Sequence, residues 1–492
     1  MLFQARSQTV RPLRVAAPAV LTVLSISGGC TSLDPKADID RAASTVAERS
    51  GATAAWTEPW ESSLTMWDGR SPLTVDLALA MALRNNREIR SQVEQIAASR
   101  ADLVQAGLLP NPVVGLTLRF PFDPVSGGTF IGAQAVQSFT ALWLRDGKIE
   151  AADARLNQTV LDISDEALRL VAEVKAMHAR IAFGERALTL SDESLATIRK
   201  AIDSLDARVR GGEGTTLDVN RARQQLAKAE AERALVARDL AKERRGMLEL
   251  IGFAAEGAEW TAATSGAMPS APPIDESGAV ALALSQRLDV AAVRAIAEAH
   301  RADLSVEEQS RVKDFGLGAD FERAADGAKS VGPVLEVAVP IFDTNQAQIA
   351  KAGSLARAAL ANFEAASQRA VREARVAWVE LDSALRLVDQ YRSTVLTLSE
   401  RNLALAEAAL KAGQADVTVL LESQRELIDA RARLNELERQ AAIAHIELEY
   451  AVGGGLTSPL SPARDPLDRG PASNGAATPP SSLGEAPSGE HP

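Results

Sequence analysis

Between Arg155 and Val209, positions spaced alternately by four and three residues are almost all apolar: Leu156, Val160, Ile163, Ala167, Leu170, Val174, Met177, Ile181, Gly184, Leu188, Ser191, Leu195, Ile198, Ile202, Leu205 and Val209. Only Gly184 and Ser191 interrupt the run, and both are small. About eight heptads of such a seam commit the segment to a long helix with a coiled-coil partner. At ~1.5 Å per residue, a helix from Arg145 to Arg210 is roughly 100 Å long, a rod that no compact globular domain needs.

The seam occurs again at a separation of about 200 residues. It passes through Leu360, Phe363, Ser367, Ala370, Ala374, Ala377, Leu381, Ala384, Val388, Tyr391, Val395, Leu398, Asn402, Leu405 and Ala409. A repeat that holds phase over this length reads as a duplication, and its unit is too long for a solenoid, so each copy is expected to be a whole substructure. Alanine and leucine dominate, and most of the 22 prolines fall outside the long segments, which suits helices. The net charge of −12 makes nucleic acid a poor partner. A single cysteine excludes an internal disulfide framework and a cysteine-based zinc site, and the four histidines have no metal-ligand spacing.

Residues 1–29 read as a signal peptide, with Arg6, Arg11 and Arg14 ahead of the apolar run Val15–Ile26, which is too short to span a bilayer. It ends at Ser27-Gly28-Gly29-Cys30. This resembles a bacterial lipobox, whose cysteine is lipidated and becomes the mature N-terminus, although Ser27 stands where that pattern carries an aliphatic residue. The alternative is an ordinary secretory signal with an incidental cysteine. Thr31, not Asp, follows, which by the same resemblance implies outer-membrane sorting; one acylated cysteine tethers a chain and does not carry it across. Residues 30–72 then read as an extended segment, with Trp56, Trp60 and Trp67 as packing contacts.

The first copy spans 73–262. Thr74 is a plausible N-cap, and one helix is expected from there to Gly107-Leu108-Leu109-Pro110-Asn111-Pro112, where the prolines stop it. Two strand-like runs follow, Val113–Phe122 and Thr129–Trp143. In the first, Val114, Leu116, Leu118 and Phe120 alternate with Val113, Gly115, Thr117 and Arg119, as a lipid-facing barrel strand would. The long helix breaks at Gly211-Gly212-Glu213-Gly214, and a return helix runs from Thr216 to Ile251. After a linker, 263–273, the second copy (274–452) repeats the plan: a helix over Asp275–Val312, strands Phe315–Arg323 and Val331–Ile341, a long helix from Asn345 to Lys411, a break at Gly413, and a return helix over Asp416–Ala451. Seven of the eleven phenylalanines (120, 122, 130, 139, 315, 321 and 342) lie in the two strand regions, as aromatic girdles at a membrane interface would. Four strands leave two unpaired edges, untenable in lipid, so the strands demand oligomerisation. The tail, 453–492, is rich in Gly, Pro and Ser and reads as disordered.

This plan resembles the TolC family of outer-membrane efflux proteins. The matching pieces are Leu73-Thr74-Val75, Ala78-Leu79, Ala82-Leu83-Arg84-Asn85-Asn86, the Gly107–Pro112 run, Val339-Pro340-Ile341-Phe342-Asp343, and two helix-turn signatures. One signature holds Gly212, Leu217-Asp218-Val219 and Arg223-Gln224-Gln225-Leu226; the other holds Gly413, Val417-Thr418-Val419-Leu420 and Gln424-Arg425-Glu426-Leu427. The resemblance implies a mostly α chain with a small β-barrel part and a homotrimer. Each protomer would give four strands to a twelve-stranded outer-membrane barrel on a periplasmic helical tunnel. The turns at Gly212 and Gly413 would dock a periplasmic adaptor that bridges to an inner-membrane pump. Conduction would be passive, with no cofactor. The family's acidic constriction falls on Val419, which departs from the pattern, and Glu422, which keeps it, with Asp416 a second candidate. Asp416 can equally be an N-cap and Glu422 a solvated helix residue. Three copies of Glu422 about an axis would favour cations.

The run Pro340–Gln346 is similar to one in the branch that serves metal-cation pumps, which ranks heavy-metal export ahead of drug efflux and type I secretion; six scattered methionines give no relay for copper or silver. A periplasmic adaptor lipoprotein would carry one hairpin, not two, and a coiled-coil tether would not need the strands. No nucleophile–base constellation or phosphate loop points to an enzyme. His178, His300 and His445 on helices, and His491 in the tail, are expected at the surface, and helix charges such as Glu230, Glu232 and Arg233 to be solvated or in interhelical pairs.

Overall fold

The computed structural model describes residues 32–56, 67–120, 122, 128–253, 260–263, 272–311 and 315–456. The leader, Cys30, Trp60, most of the linker and the tail after 456 lie outside them. The chain is mostly helical with one small antiparallel sheet, and it divides into two compact units.

One unit comprises Ala97–Asp153 and Ala302–Ala350, with the residues before Lys36. It contains β1 (Val113–Arg119), β2 (Phe130–Ser138), β3 (Phe315–Arg323) and β4 (Lys329–Val337), joined in that order into one sheet. Every neighbouring pair is antiparallel. β3 matches the sequence reading, and the other three strands are shorter than the sequence suggests. The second run was expected to reach Trp143, but Thr140 opens a helix and its hydroxyl accepts the Phe315 N–H at 2.8 Å, which ends the ladder. The last strand was expected to reach Ile341 but stops at Val337, ahead of Pro340, which has no N–H to donate. The proline-rich turn after Ala106 is pinned by the Arg145 guanidinium, which donates to the Gly107 carbonyl at 2.7 Å. The turn after β4 is held by Asn345 at φ 65°, the one non-glycine residue with positive φ among the described residues; its amide donates to the Glu307 carbonyl and carboxylate at 2.8 and 2.7 Å. Asp343 accepts the Asn345 N–H, and Gln346 accepts from Thr344. The Pro340–Gln346 motif is thus occupied in building a turn.

The other unit comprises Lys36–Ile96, Ala154–Arg301 and the chain from Lys351. Its first element corrects the expectation of an extended segment: α1 spans Lys36–Ser50. Asp38, Ala42, Val46 and Arg49 are buried at spacings of four, four and three, a helical stripe. The single helices expected over 74–107 and 275–312 are each broken in two. They give α2 (Val75–Asn85) and α3 (Arg87–Ala106), then α6 (Glu276–Gln286) and α7 (Leu288–Gln309). Asn86 and Arg287 are the extended residues at the breaks. A glycine turn from a return helix causes each one: a Cβ on Gly252 would stand 2.7 Å from the Asn85 carbonyl oxygen, and one on Gly453 would stand 2.8 Å from the Gln286 carbonyl carbon. Both glycines have positive φ, so no other residue closes these contacts without strain.

The long helix α4 runs unbroken over Thr140–Arg210, starting earlier than Arg145, and α5 returns over Thr216–Leu250. Every member of the 156–209 seam is buried or half-buried. Its small interruption at Gly184 receives Leu240 of α5 at 3.3 Å from where a Cβ would sit, and Met177 reciprocally packs on Gly246 at 3.2 Å. Arg199–Glu230 and Arg233–Asp192 are the interhelical pairs expected of the helix charges, and such exposed pairs contribute ~0–1 kcal/mol each. The second long helix is not uniform. It consists of α8 (Gln346–Gln390), a π-helical turn at Tyr391–Leu396 and α9 (Thr397–Lys411), followed by the return helix α10 (Val417–Ala451). The predicted second seam fits from Phe363 to Tyr391; Leu360, Val395, Leu398, Asn402 and Leu405 instead face outward. The beginning of the expected disordered tail is packed, with the Gly455 N–H on the Arg49 carbonyl at 2.9 Å and Leu456 buried.

Gly252→Ala places a methyl group against the Asn85 backbone at φ 64°. It is expected to destabilise the protein by about 2 kcal/mol or more, read as a lowered thermal midpoint, whereas Gly212→Ala, where nothing lies within 4 Å, costs only the ~1 kcal/mol of its φ.

Candidate functional site

Both hairpin turns are built alike. In the first, the Glu213 N–H donates to the Arg208 carbonyl at 2.9 Å and Gly212 to Val209 at 3.1 Å; in the second, Gln414 donates to Ala409 at 2.8 Å and Gly413 to Leu410 at 3.0 Å. These are glycine-terminated helix ends in which orphan carbonyls take N–H groups from beyond the helix. Gly212 and Gly413 have φ of 78° and 69° with open space around them, so each is required by the turn and not by crowding.

The helices that leave these turns begin differently. Thr215 caps α5, its hydroxyl oxygen accepting the Asp218 N–H at 3.3 Å, while the hydroxyl itself donates to the Asp218 carboxylate at 2.6 Å. Asp416 occupies the same position ahead of α10 but makes no side-chain cap. Its carboxylate instead accepts from the guanidinium of Arg208, at the end of α4, so the cap role weighed for it does not apply. The Arg208 hydrogen bond holds the Asp416 carboxyl below the usual carboxylate range. Arg208 was missed in the sequence because nothing local marks its partner, which lies in the other copy. Glu422 and Val419 are exposed on α10, and among the described residues Glu422 has no ion-pair partner.

The sheet sorts its side chains by face. Val114, Leu116 and Leu118 share one face with Ile131, Ala133 and Ala135 of β2, with Leu317, Ala319 and Phe321 of β3, and with Val331, Pro333 and Leu335 of β4. Apart from Gln137, Arg323 and Lys329 at its ends, this face is apolar yet bare: Val114 is 74%, Leu116 68% and Val331 76% exposed. The opposite face carries Thr117, Arg119, Gln134, Asp320, Glu322, Ser330 and Glu336 among five glycines, together with Val113, Phe130, Val136 and Val334. Among the described residues, β1 pairs only with β2, and β4 only with β3. No helix among them is long and apolar enough to cross a membrane.

A cluster of carboxylates around one buried guanidinium went unseen in the sequence. Arg287, at the α6–α7 break, donates to Asp289 at 2.7 Å and to Glu373 of α8 at 2.7 Å. Burial alone would lower its pKa, but the two carboxylates outweigh burial and raise it. Nearby on α4, the Asp165 carboxyl accepts the Tyr450 hydroxyl at 3.2 Å. Burial and then the charge of Asp289 push Asp165 up to about 6. Arg49 of α1 donates to the carbonyls of Gln286 and Gly453, fastening the helix break to the end of α10. His178 is not the surface residue expected. It is buried, and because Leu73 offers a carbonyl, the imidazole Nε2 is the donor there, at 2.8 Å. Its place three residues before Ile181 and four after Val174 was the available signal. His445 is half-buried, with Nε2 3.6 Å from Glu449. Trp56 and Trp67 are packing residues: Trp56 donates to the Leu83 carbonyl at 2.8 Å, and Trp67 meets Trp260 edge-on with centroids 5.5 Å apart. No His/Cys/Asp/Glu group among the described residues is arranged to hold a metal ion.

A family model described as outer membrane efflux protein matches residues 78–252 and 279–454. The chain is 22% identical over 371 residues to the cobalt-zinc-cadmium resistance protein CzcC of Cupriavidus metallidurans, spanning 74% of this chain and 86% of that one. It is 26% identical over 400 residues to the outer membrane protein OprJ of Pseudomonas aeruginosa, spanning 76% and 83%. A crystal structure of CusC, described in terms of folding and transmembrane channel formation, superimposes with a TM-score of 0.65 at 16% identity, covering 82% of this chain and 97% of that one.

Asp165 makes stability pH-dependent with a definite sign. Its folded-state pKa of about 6 lies above the ordinary aspartate value of 3.8, so the folded state binds more protons between the two, and stability falls as pH rises through that window. Asp165→Asn should flatten this slope and stabilise the protein at pH 7.5, on the order of 2 kcal/mol, but not at pH 4, as read from thermal midpoints across pH.

Proposed function

The chain belongs to the outer membrane efflux protein family, and we propose that three copies of it form the exit duct of a tripartite system that expels heavy-metal cations. The chain is an outer-membrane efflux channel and not an enzyme. Conduction is passive, with energy supplied by an inner-membrane pump through a periplasmic adaptor. The observation that carries the reading is the sheet. Its apolar face is bare and, among the described residues, its two outer strands have unpaired edges, a combination lipid tolerates only when the edges close on one another. Three four-stranded sheets joined β4 to β1 satisfy every edge, place the apolar faces toward lipid and turn the polar, glycine-rich faces inward. The two separate family matches support reading the chain as two copies of one unit.

The hairpin ends at Gly212 and Gly413 form the periplasmic mouth and meet the adaptor. There Glu422 lines the constriction, and Asp416, tied to Arg208, holds the two ends of one protomer together. Cys30 carries the lipid after removal of residues 1–29. Metal cations come first as cargo because of the likeness to CzcC, with the acidic net charge as a weaker reason. The likeness to OprJ leaves drug or other small-molecule efflux second and type I secretion third.

The test is conductance of the purified lipoprotein in planar bilayers. A pore preferring potassium over chloride is expected, and Glu422→Gln should reduce that preference severalfold. An unchanged preference moves the constriction away from Glu422, and failure of the folded protein to insert overturns the barrel. Cells deprived of this chain should lose tolerance to cobalt, zinc or cadmium before they lose tolerance to drugs; the reverse order makes drugs the cargo. Cys30→Ser should remove the acyl mass from the mature chain.

A further inference from the structure

The return helix α10 keeps one seam without interruption: Leu427, Ala430, Leu434, Leu437, Ala441, Ala444, Leu448 and Ala451 are all buried, at alternating steps of three and four. The helix facing it does not. From Ala370 the inward positions are Ala374, Ala377, Leu381, Ala384, Val388 and Tyr391, and the next is Leu396, five residues on, which packs against the cluster of Val388, Leu434, Leu437 and Ala441. Beyond it the inward positions are Ser399, Leu403, Ala406 and Leu410. Each lies one residue past the heptad position that the sequence marks, so Leu405 is 61% exposed and its neighbour Ala406 only 6%. The five-residue step coincides with the π-helical turn Tyr391–Leu396, which accommodates one extra residue and turns everything after it by about 100°.

Past the turn, the helix therefore carries two apolar stripes. One (Leu396, Ser399, Leu403, Ala406, Leu410) covers α10; the other (Val395, Leu398, Asn402, Leu405, Ala409) is the in-phase continuation of α8 and stands outside as far as Leu405, with Ala409 half-buried. A straight α-helix would exchange them. What holds the turn is Glu438 of α10, a carboxylate whose side chain is 6% exposed. It accepts Arg392, within the π turn, at 2.6 Å and Arg186 of α4 at 2.8 Å. The Thr397 hydroxyl adds a bond to the Arg392 carbonyl five residues back, at 3.2 Å. Meanwhile α10 is anchored independently, the buried Asn435 amide donating to the Phe183 carbonyl of α4 at 3.0 Å. The first long helix has no such step: α4 is regular throughout.

We propose that the π turn at Tyr391–Leu396 is a removable register step, latched by Glu438 with Arg392 and Arg186, and that α9 switches between its two apolar stripes on a fixed α10. Two discrete packings of one helix pair constitute a bistable element of the kind that gives conformational switches their two states. The functional consequence rests on the channel reading above: the switch turns the end of the second hairpin and carries Asp416 away from Arg208.

The test uses the full-length lipoprotein in membranes and two cysteine pairs. Leu396→Cys with Leu434→Cys reports the observed register; Val395→Cys with Leu434→Cys reports the switched one. With Glu438 intact, the first disulfide should form about tenfold faster than the second, as quantified by peptide mass spectrometry. Glu438→Gln should invert that ranking. Deleting Ser393 in the Glu438→Gln background should restore it, because a straight helix one residue shorter already presents the Leu396 stripe. An unchanged ranking in Glu438→Gln, equal rates for both pairs, or no restoration by the deletion would each overturn the proposal. Where Glu438→Gln does not reach the membrane, Arg392→Gln, at a half-exposed position, replaces it with the same expectations. The register is read from covalent pairing alone. A chain that inverts its pairing but never conducts therefore counts against the channel and leaves the switch standing.

Discussion

A helix of 71 residues has no core of its own. Each turn of α4 has to find apolar cover on another helix, and the heptad seam is the condition for finding it continuously. That cover comes as interlocking shapes, with Leu240 entering the space over Gly184 and Met177 lying on Gly246. The charged pairs beside the seam add little, since most are half in water. Once the seam is set, the turns are constrained as well. A return helix has to start where its partner stops, which is why glycines in the left-handed conformation stand at Gly212 and Gly413.

The first hairpin was legible in the sequence nearly residue by residue because it is periodic and unbroken. The second was legible from Phe363 as far as Tyr391 and then misread by one position. A π turn has no composition of its own: Tyr391-Arg392-Ser393-Thr394-Val395-Leu396 is an ordinary helical string, and the stripe that faces outward is as apolar as the one that faces in. Strand existence and facing were readable from alternation, whereas strand ends were set by partners far along the chain, such as the Thr140 hydroxyl on the Phe315 N–H. Helix α1 escaped notice because two of its four buried positions are Asp38 and Arg49, charged residues that read as surface. The breaks at Asn86 and Arg287 are imposed by glycine turns more than 160 residues downstream, a contact no local pattern encodes.

Of the positions singled out for function, Gly212 and Gly413 do in the fold what their residue type suggested. Asp416 precedes the return helix and is bound to Arg208. Strongly perturbed ionisable groups, among them Asp165, Arg287 and Tyr450, sit in the helical unit and include none of the candidate pore residues. Burial first, and then neighbouring carboxylates, raise Asp165 and Tyr450, while Asp289 and Glu373 raise Arg287 against its burial. Perturbed ionisation is a guide to function only after structural ion networks have been set aside.

The strand order has a consequence in time. The outer pairs, β1 with β2 and β3 with β4, are local hairpins, but the central pair joins Ile131–Ser138 to Gly316–Arg323, residues separated by the whole of α4, α5, α6 and α7. Bringing such distant segments together incurs a chain-closure entropy that local hairpins avoid, and it slows the step accordingly. During synthesis β2 has to wait, unpaired along one edge, until most of the helical chain has emerged. The sheet is therefore not whole until β4 has emerged, with only the second long hairpin still to follow, and the bare apolar face that suits it to lipid is not presented as a complete surface before then.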